Sequence, residues 1–200
     1  MPFYNDERWL GWLDLLATDD YVIIDDGISI ELFETILQFF VRMEENDQLV
    51  KAGIGRLDKL MVKSEIRGDF IHWLDSEIDT DLNLFFLLMD ELKDNLKKFC
   101  YLSLSDSEFH IAKYPIGSHY HKHLDQFNER SNRQISVLLY LNKNWKNGDG
   151  GELKIYSKNG ATLIEPLARR IVLFKSAELE HEVLTTHVAR YSLTGWLLRK

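Results

Sequence analysis

From Ser107 onward, short apolar segments alternate with turn signals, and this rhythm specifies an antiparallel β-sandwich or jelly roll. Strands are expected at 108–114, 120–125, 134–141, 152–156, 162–164, 170–174, 180–183 and 190–198. Pro115 and Gly117 break the chain before a histidine-rich segment, and Asn147-Gly148-Asp149-Gly150-Gly151 forms a strong turn. Side chains alternate across a strand. On the strand at 134–141, Ile135, Val137, Leu139 and Leu141 therefore make a pure core face. Gln134, Ser136, Leu138 and Tyr140 make a mixed face, as the wall of a pocket should be. On the last strand Arg190, Ser192, Thr194 and Trp196 share a face, and the arginine marks it as a pocket rather than a solvated surface.

The first half reads as helical support. Trp9, Trp12, Leu13 and Leu16 form a stripe on a helix at 5–17 with Asn5 as its cap. A strand at 21–24 ends at the turn Asp25-Asp26-Gly27. Ser29 then caps a helix whose Leu32, Phe33, Ile36, Leu37 and Phe40 face a core. A long helix at 80–99 presents Phe85, Met89, Leu92 and Leu96. Between the helices, Gly53 and Gly55 open a charged stretch before a strand around Ile71 and Trp73. That stretch reads equally as a functional loop and as a plain solvated connection.

Two hundred residues, 45% of them hydrophobic, suit one domain with an ample core. Twenty-four basic against 32 acidic residues, a formal charge of -8, argue against a nonspecific nucleic-acid binder. Cys100, the single cysteine, cannot form an internal disulfide, which points to a reducing compartment. Residues 1–17 mix acids with Trp and Leu unlike a signal peptide, and the apolar run at 82–89 is too short to span a bilayer. A cytoplasmic protein with no membrane partner is expected; nothing in the sequence indicates its oligomeric state.

Chemistry concentrates in a few residues. In an extended strand His123 and Asp125 reach the same point while Leu124 packs behind them. With His181 they make two imidazoles and one carboxylate, the pattern of non-haem Fe(II) oxygenases. Arg190 follows His181 by nine residues and is suited to holding a carboxylate through paired hydrogen bonds. A metal with a nearby arginine fits a co-substrate that chelates iron at one end and carries a free carboxylate at the other, as 2-oxoglutarate does.

These residues lie among longer motifs: I-R-G-D-F-I-H-W-L at 66–74, K-Y-P-I-G at 113–117, H-L-D at 123–125, L-Y-L-N-K-N-W at 139–145 and the terminal H-E-V at 181–183. Together they resemble the prolyl hydroxylases of the hypoxia-inducible-factor type and their bacterial relatives, over about residues 21–196, with Trp9 and Trp12 before the matched stretch. The resemblance implies one α+β oxygenase domain, a double-stranded β-helix (jelly-roll, cupin-like) over 105–200 backed by N-terminal helices. It implies Fe(II) on His123, Asp125 and His181, with Arg190 and Tyr140 on the distal carboxylate of 2-oxoglutarate. Tyr114 would line the pocket near the iron, and Leu138, Leu153, Val183, Thr194 and Trp196 would complete its wall. Arg67 and Asp69 would flank a substrate-covering loop near 53–69. The expected reaction uses O2, with ascorbate a candidate reductant, and hydroxylates a prolyl residue in a protein or peptide while releasing succinate and CO2. Elongation factor Tu or another translation protein is the substrate that the bacterial relatives suggest. Other residues or free amino acids remain alternative substrates, and a non-catalytic peptide-binding jelly roll is the rival class. A nucleic-acid demethylase is disfavoured by the acidic balance. His119 and His121 fall outside the ligand set and read as solvated polar residues, with a stray metal as the alternative, and His72 and His187 read as structural or exposed.

Overall fold

The computed structural model describes residues 2–53, 67–126 and 132–199. The chain begins with α1 (Asp6–Asp19), where the Asn5 side chain accepts from the Arg8 amide at 3.0 Å and satisfies a donor that the first helical turn leaves open. The helix ends at Asp20, which takes a left-handed conformation at φ 69°. After β1 (Tyr21–Ile24), Ser29 caps α2 (Ile30–Glu45). A two-residue strand β2 (Val50–Lys51) and β3 (Phe70–Trp73) precede a 3-10 turn (Thr80–Leu82) that leads into α3 (Asn83–Cys100). The single helix expected at 80–99 is thus divided. The Asp79 carboxylate accepts from the Asp75 amide at 2.8 Å, so it serves the preceding turn and does not cap the helix. β2 was not expected, since two exposed residues carry no periodic signal.

Eight strands follow: β4 (Leu104–Tyr114), β5 (Tyr120–His123), β6 (Arg133–Tyr140), β7 (Leu153–Ser157), β8 (Gly160–Ile164), β9 (Ile171–Lys175), β10 (Glu180–Val183) and β11 (Arg190–Arg199). They build two antiparallel sheets, one ordered β1-β9-β6-β11-β4-β3-β2 and the other β5-β10-β7-β8. This is the double-stranded β-helix expected from the sequence, backed by three helices. The expected loop at 53–69 falls, between residues 54 and 66, outside the described residues.

Parity along the strands separates two cores. Ile135, Val137 and Leu139 of β6, with Leu193 and Leu197 of β11 and Phe109 and Ile111 of β4, face the helices. There they meet Trp9, Leu13, Phe33, Ile36, Phe40, Phe85, Met89 and Leu92. Burial of such side chains supplies most of the driving force for folding, about 1.5–3 kcal/mol each. Leu138 and Tyr140 point the other way and pack with Leu153, Ile155, Val172 and Phe174 between the sheets. Glu91 of α3 fastens the first helix: its carboxylate accepts from the Trp9 indole at 2.8 Å and from the Phe3 and Tyr4 amides at 2.7 and 3.1 Å. The helices therefore stiffen the outer face of the large sheet, while the space between the sheets is left for a site.

Candidate metal and co-substrate site

β5 carries one residue more than the strand it pairs with. His181 lies opposite His123 and Val183 opposite Tyr120, so three steps on β5 match two on β10. Such a bulge re-aims side chains. It brings Tyr120 and His123 to one face, with their rings stacked at 3.7 Å and 19°, and leaves His121 exposed. The strand expected to run to Asp125 ends at His123, and Asp125 follows in a bend. Leu124, expected to pack behind the pair, lines the same cavity as both of them.

The ligand atoms of His123, Asp125 and His181 nonetheless all lie within 4.8 Å of one another. The two Nε2 atoms approach the two Asp125 oxygens at 3.5 and 3.6 Å. Each imidazole points its Nδ1 at a backbone carbonyl, that of His121 at 2.8 Å and that of Leu179 at 3.1 Å. A carbonyl only accepts, so Nδ1 carries the proton and Nε2 keeps the lone pair that a metal needs. Burial lowers the His181 imidazole to about 4, against the opposing pull of Asp125, which keeps it neutral and able to ligate. Burial works against the Asp125 carboxylate too. There the His181 and His123 imidazoles and the Arg133 guanidinium outweigh it and hold the group well below the usual carboxylate range. A hydrogen bond from the Ser136 hydroxyl to Asp125 at 2.6 Å, itself backed by Ser176 at 2.8 Å, fixes the carboxylate from behind.

The surroundings of Arg190 are as well defined. Arg190 is 1% exposed, its Nε donates to the Gly151 carbonyl at 2.8 Å and its Nη1 reaches Ser192 at 3.3 Å. Gly151 adopts φ +76°, and a Cβ there would meet the Arg190 side chain at 2.9 Å, so only glycine fits this approach. Arg190 Nη2 and the Tyr140 hydroxyl are buried without a hydrogen-bond partner among the described residues. The guanidinium carbon stands 4.8 Å from the Tyr114 ring and 5.1 Å from the Tyr140 ring. Burial raises both phenols, leaving them protonated donors at neutral pH. Two orphaned donors in an apolar enclosure are costly unless an anion joins them. A carboxylate fits this cradle, and the two-imidazole, one-carboxylate donor set fits Fe(II).

Both halves open into one cavity of about 210 Å³ lined by Tyr114, Leu138, Leu153, Val183, Thr194 and Trp196 as well as the metal triad and Arg190. Tyr140 stands behind this lining, fully buried. Arg67 also lines it; its guanidinium forms a two-pronged pair with the fully buried Asp69 at 2.6 and 2.8 Å and lies 4.9 Å from the Tyr120 ring. Burial disfavours the Arg67 charge, and Asp69 more than offsets it. Tyr120, Ser136 and Ser176, together with the cavity-lining Trp73 and His110, were not picked out as site residues from the sequence. For Ser136 a signal existed, since it shares the inner face of β6 with Leu138 and Tyr140.

The sequence matches the model of the 2OG-Fe(II) oxygenase superfamily over residues 109–198. A crystal structure of a Pseudomonas putida prolyl-4-hydroxylase superposes with a TM-score of 0.88 at 32% identity, over 96% of this chain and 100% of that one. A Trichoplax adhaerens prolyl hydroxylase, solved with a hypoxia-inducible-factor oxygen degradation domain peptide fragment, gives 0.87 at 26% identity, over 96% and 89% of the two chains. At 96% of the chain, these superpositions reach beyond residues 21–196. A probable prolyl 4-hydroxylase of Arabidopsis thaliana is 26% identical over 122 residues, 55% of this chain and 38% of that protein's length.

Proposed function

Because the chain belongs to the 2OG-Fe(II) oxygenase superfamily and is a dioxygenase related to the prolyl hydroxylases, we propose that it hydroxylates a prolyl residue in a protein or peptide substrate. The observation that carries this reading is the pair of buried donors without a partner among the described residues, Arg190 Nη2 on the cavity of the His123–Asp125–His181 cluster and Tyr140 Oη just behind its lining. In this reading His123, Asp125 and His181 hold Fe(II), while Arg190 and Tyr140 hold the distal carboxylate of 2-oxoglutarate. When bound, the iron and 2-oxoglutarate supply the activation of O2 and release succinate and CO2.

The remaining work falls to this chain's own residues. Leu138, Leu153 and Val183 exclude water from the reacting centre. Ser136 and the two backbone carbonyls keep the ligands aimed. Trp73, His110 and Trp196, with ring centroids 4.9–6.3 Å apart and planes inclined by 28–57°, form an aromatic wall of the kind that receives proline rings. We read residues 1–200 as a single oxygenase domain, with Arg67 and Asp69 at the edge of the peptide path. A reducing, cytoplasmic setting agrees with the lone Cys100, and no helix among the described residues is long and apolar enough to cross a membrane.

The test is mass spectrometry of proline-containing peptides incubated with protein, Fe(II), ascorbate and 2-oxoglutarate, beginning with prolines of elongation factor Tu. Gain of one oxygen on proline, with succinate in equal amount and neither in Asp125→Ala, is the expected result. Succinate formation without any peptide hydroxylation by the parent, across a proteome-derived library, would leave the oxygenase and remove the prolyl substrate. No succinate at all would favour a peptide-binding jelly roll.

A further inference from the structure

Two further histidines, His119 just before β5 and His121 within it, lie outside the cavity lining. His119 and His121 place their Nε2 atoms 3.3 Å apart, with ring centroids at 4.5 Å and planes inclined by 57°. Two readings compete for this geometry. A hydrogen bond between the nitrogens would need one ring to donate to the other, and such bonds fall at about 2.7–3.2 Å. A tetrahedral metal with bonds to nitrogen of about 2.0–2.1 Å sets its ligand atoms about 3.3–3.4 Å apart. The observed separation matches the edge of that tetrahedron and sits at the long end for a hydrogen bond between the rings.

The backbone beneath the pair is already held. The His119 carbonyl accepts from the Gly68 amide at 3.1 Å, and the His121 carbonyl accepts the Nδ1–H of His123 at 2.8 Å. Little conformational freedom is lost when the two imidazoles converge on an ion, and the exposed His121 ring leaves the remaining positions open to water. Among divalent ions, imidazole pairs favour zinc, copper and nickel over the harder magnesium, calcium and manganese.

We propose that His119 and His121 form a second metal site, on the outer side of β5, for a divalent transition ion of the zinc, copper or nickel class. It stands apart from the His123–Asp125–His181 cluster and is joined to it through one peptide carbonyl. Ions taken up there in excess would act on the strand that carries an iron ligand.

The test is a Zn(II) titration of metal-free protein against a chromogenic chelator. The parent is expected to take up two equivalents, Asp125→Ala to lose the tighter one and keep the weaker, and His119→Ala and His121→Ala each to lose the weaker one alone. Cu(II) spin resonance of Asp125→Ala should show nitrogen coupling that disappears on adding His121→Ala. A single equivalent in the parent, or a weaker equivalent that survives both histidine replacements, overturns the second site. Two equivalents persisting in Asp125→Ala at parental affinity would instead count against the primary cluster, so the two assignments fail separately.

Discussion

Arg190 is the residue on which the co-substrate assignment turns. A buried guanidinium facing a carboxylate makes a charge-assisted pair, and removing one member of such a pair costs about 3–5 kcal/mol, mostly from the charge left uncompensated. Arg190→Ala would leave Tyr140 as the remaining donor of the cradle. At about 1.4 kcal/mol per decade, 2-oxoglutarate affinity should fall roughly a hundredfold or more. Divalent-metal affinity should stay near the parent's. Arg190→Lys should recover only part of the loss, since an ammonium lacks the planar fork. Anaerobic titrations with metal and with 2-oxoglutarate measure both, and near-parental 2-oxoglutarate binding in Arg190→Ala would mean that the carboxylate is held elsewhere. Ser136 permits a complementary experiment. It does not itself line the cavity, yet its hydroxyl donates to Asp125 at 2.6 Å. Replacing such a supporting partner commonly costs about 10–100-fold in metal affinity. Ser136→Ala should therefore weaken metal binding by that order with little change in melting temperature, and Ser136→Thr should restore part of it. Equal metal affinity in Ser136→Ala would remove the supporting role.

At the level of elements, the strands were legible in the sequence wherever one face is buried, because alternation then leaves its mark. Ile135, Val137 and Leu139 against Leu138 and Tyr140 divide between the two cores as their parity requires. The bulge in β5 was not legible. His121 and Lys122 carry no glycine or other marker of an extra residue, so counting back from His123 aims His121 inward, whereas it is exposed. Ser176 escaped because it sits in a turn after β9, where no periodicity singles out one serine. The convergence of His123, Asp125 and His181, with Arg190 on the same cavity, was legible because these residue types are rare in a core and chemically specific. One helix contact yields a stability prediction. Glu91 accepts three hydrogen bonds from α1 and the residues before it. Bonds to a charged group contribute about 1.5–3 kcal/mol each, and three on one carboxylate are not additive. Glu91→Ala should destabilise the protein by at least about 2 kcal/mol in urea unfolding and leave metal affinity unchanged. An unaltered midpoint would mean that Trp9 packing alone holds the helix.

For the molecule as a whole, pH and metal should act on stability through the same residues. The folded protein keeps His181 neutral down to about 4, whereas an unfolded histidine titrates near 6.5. Between those values the unfolded chain binds a proton that the folded one refuses, so stability rises with pH across the window and is lost as pH falls through it. At about 1.36 kcal/mol per unit, the full shift amounts to on the order of 3 kcal/mol for metal-free protein. Asp125, ionised more readily when folded, acts in the same direction at lower pH. Thermal melts in chelator should therefore decline from pH 7 toward 4.5, with a smaller decline in His181→Gln; equal declines would assign the effect to other groups. The two sheets are also joined unequally. On one side a backbone bridge runs from Arg67, just before β3, to Tyr120 of β5. On the other, β1 and β8 meet through side chains, Tyr21 reaching Thr162 at 3.4 Å, while Lys158 in the turn between β7 and β8 donates to the Thr18 carbonyl of α1 at 2.8 Å. The sandwich thus resembles a book bound along one spine. Any opening is therefore expected at the fore-edge, around β1 and β8, while His123, Asp125 and Arg67 lie close to the binding, where such a motion would displace atoms least.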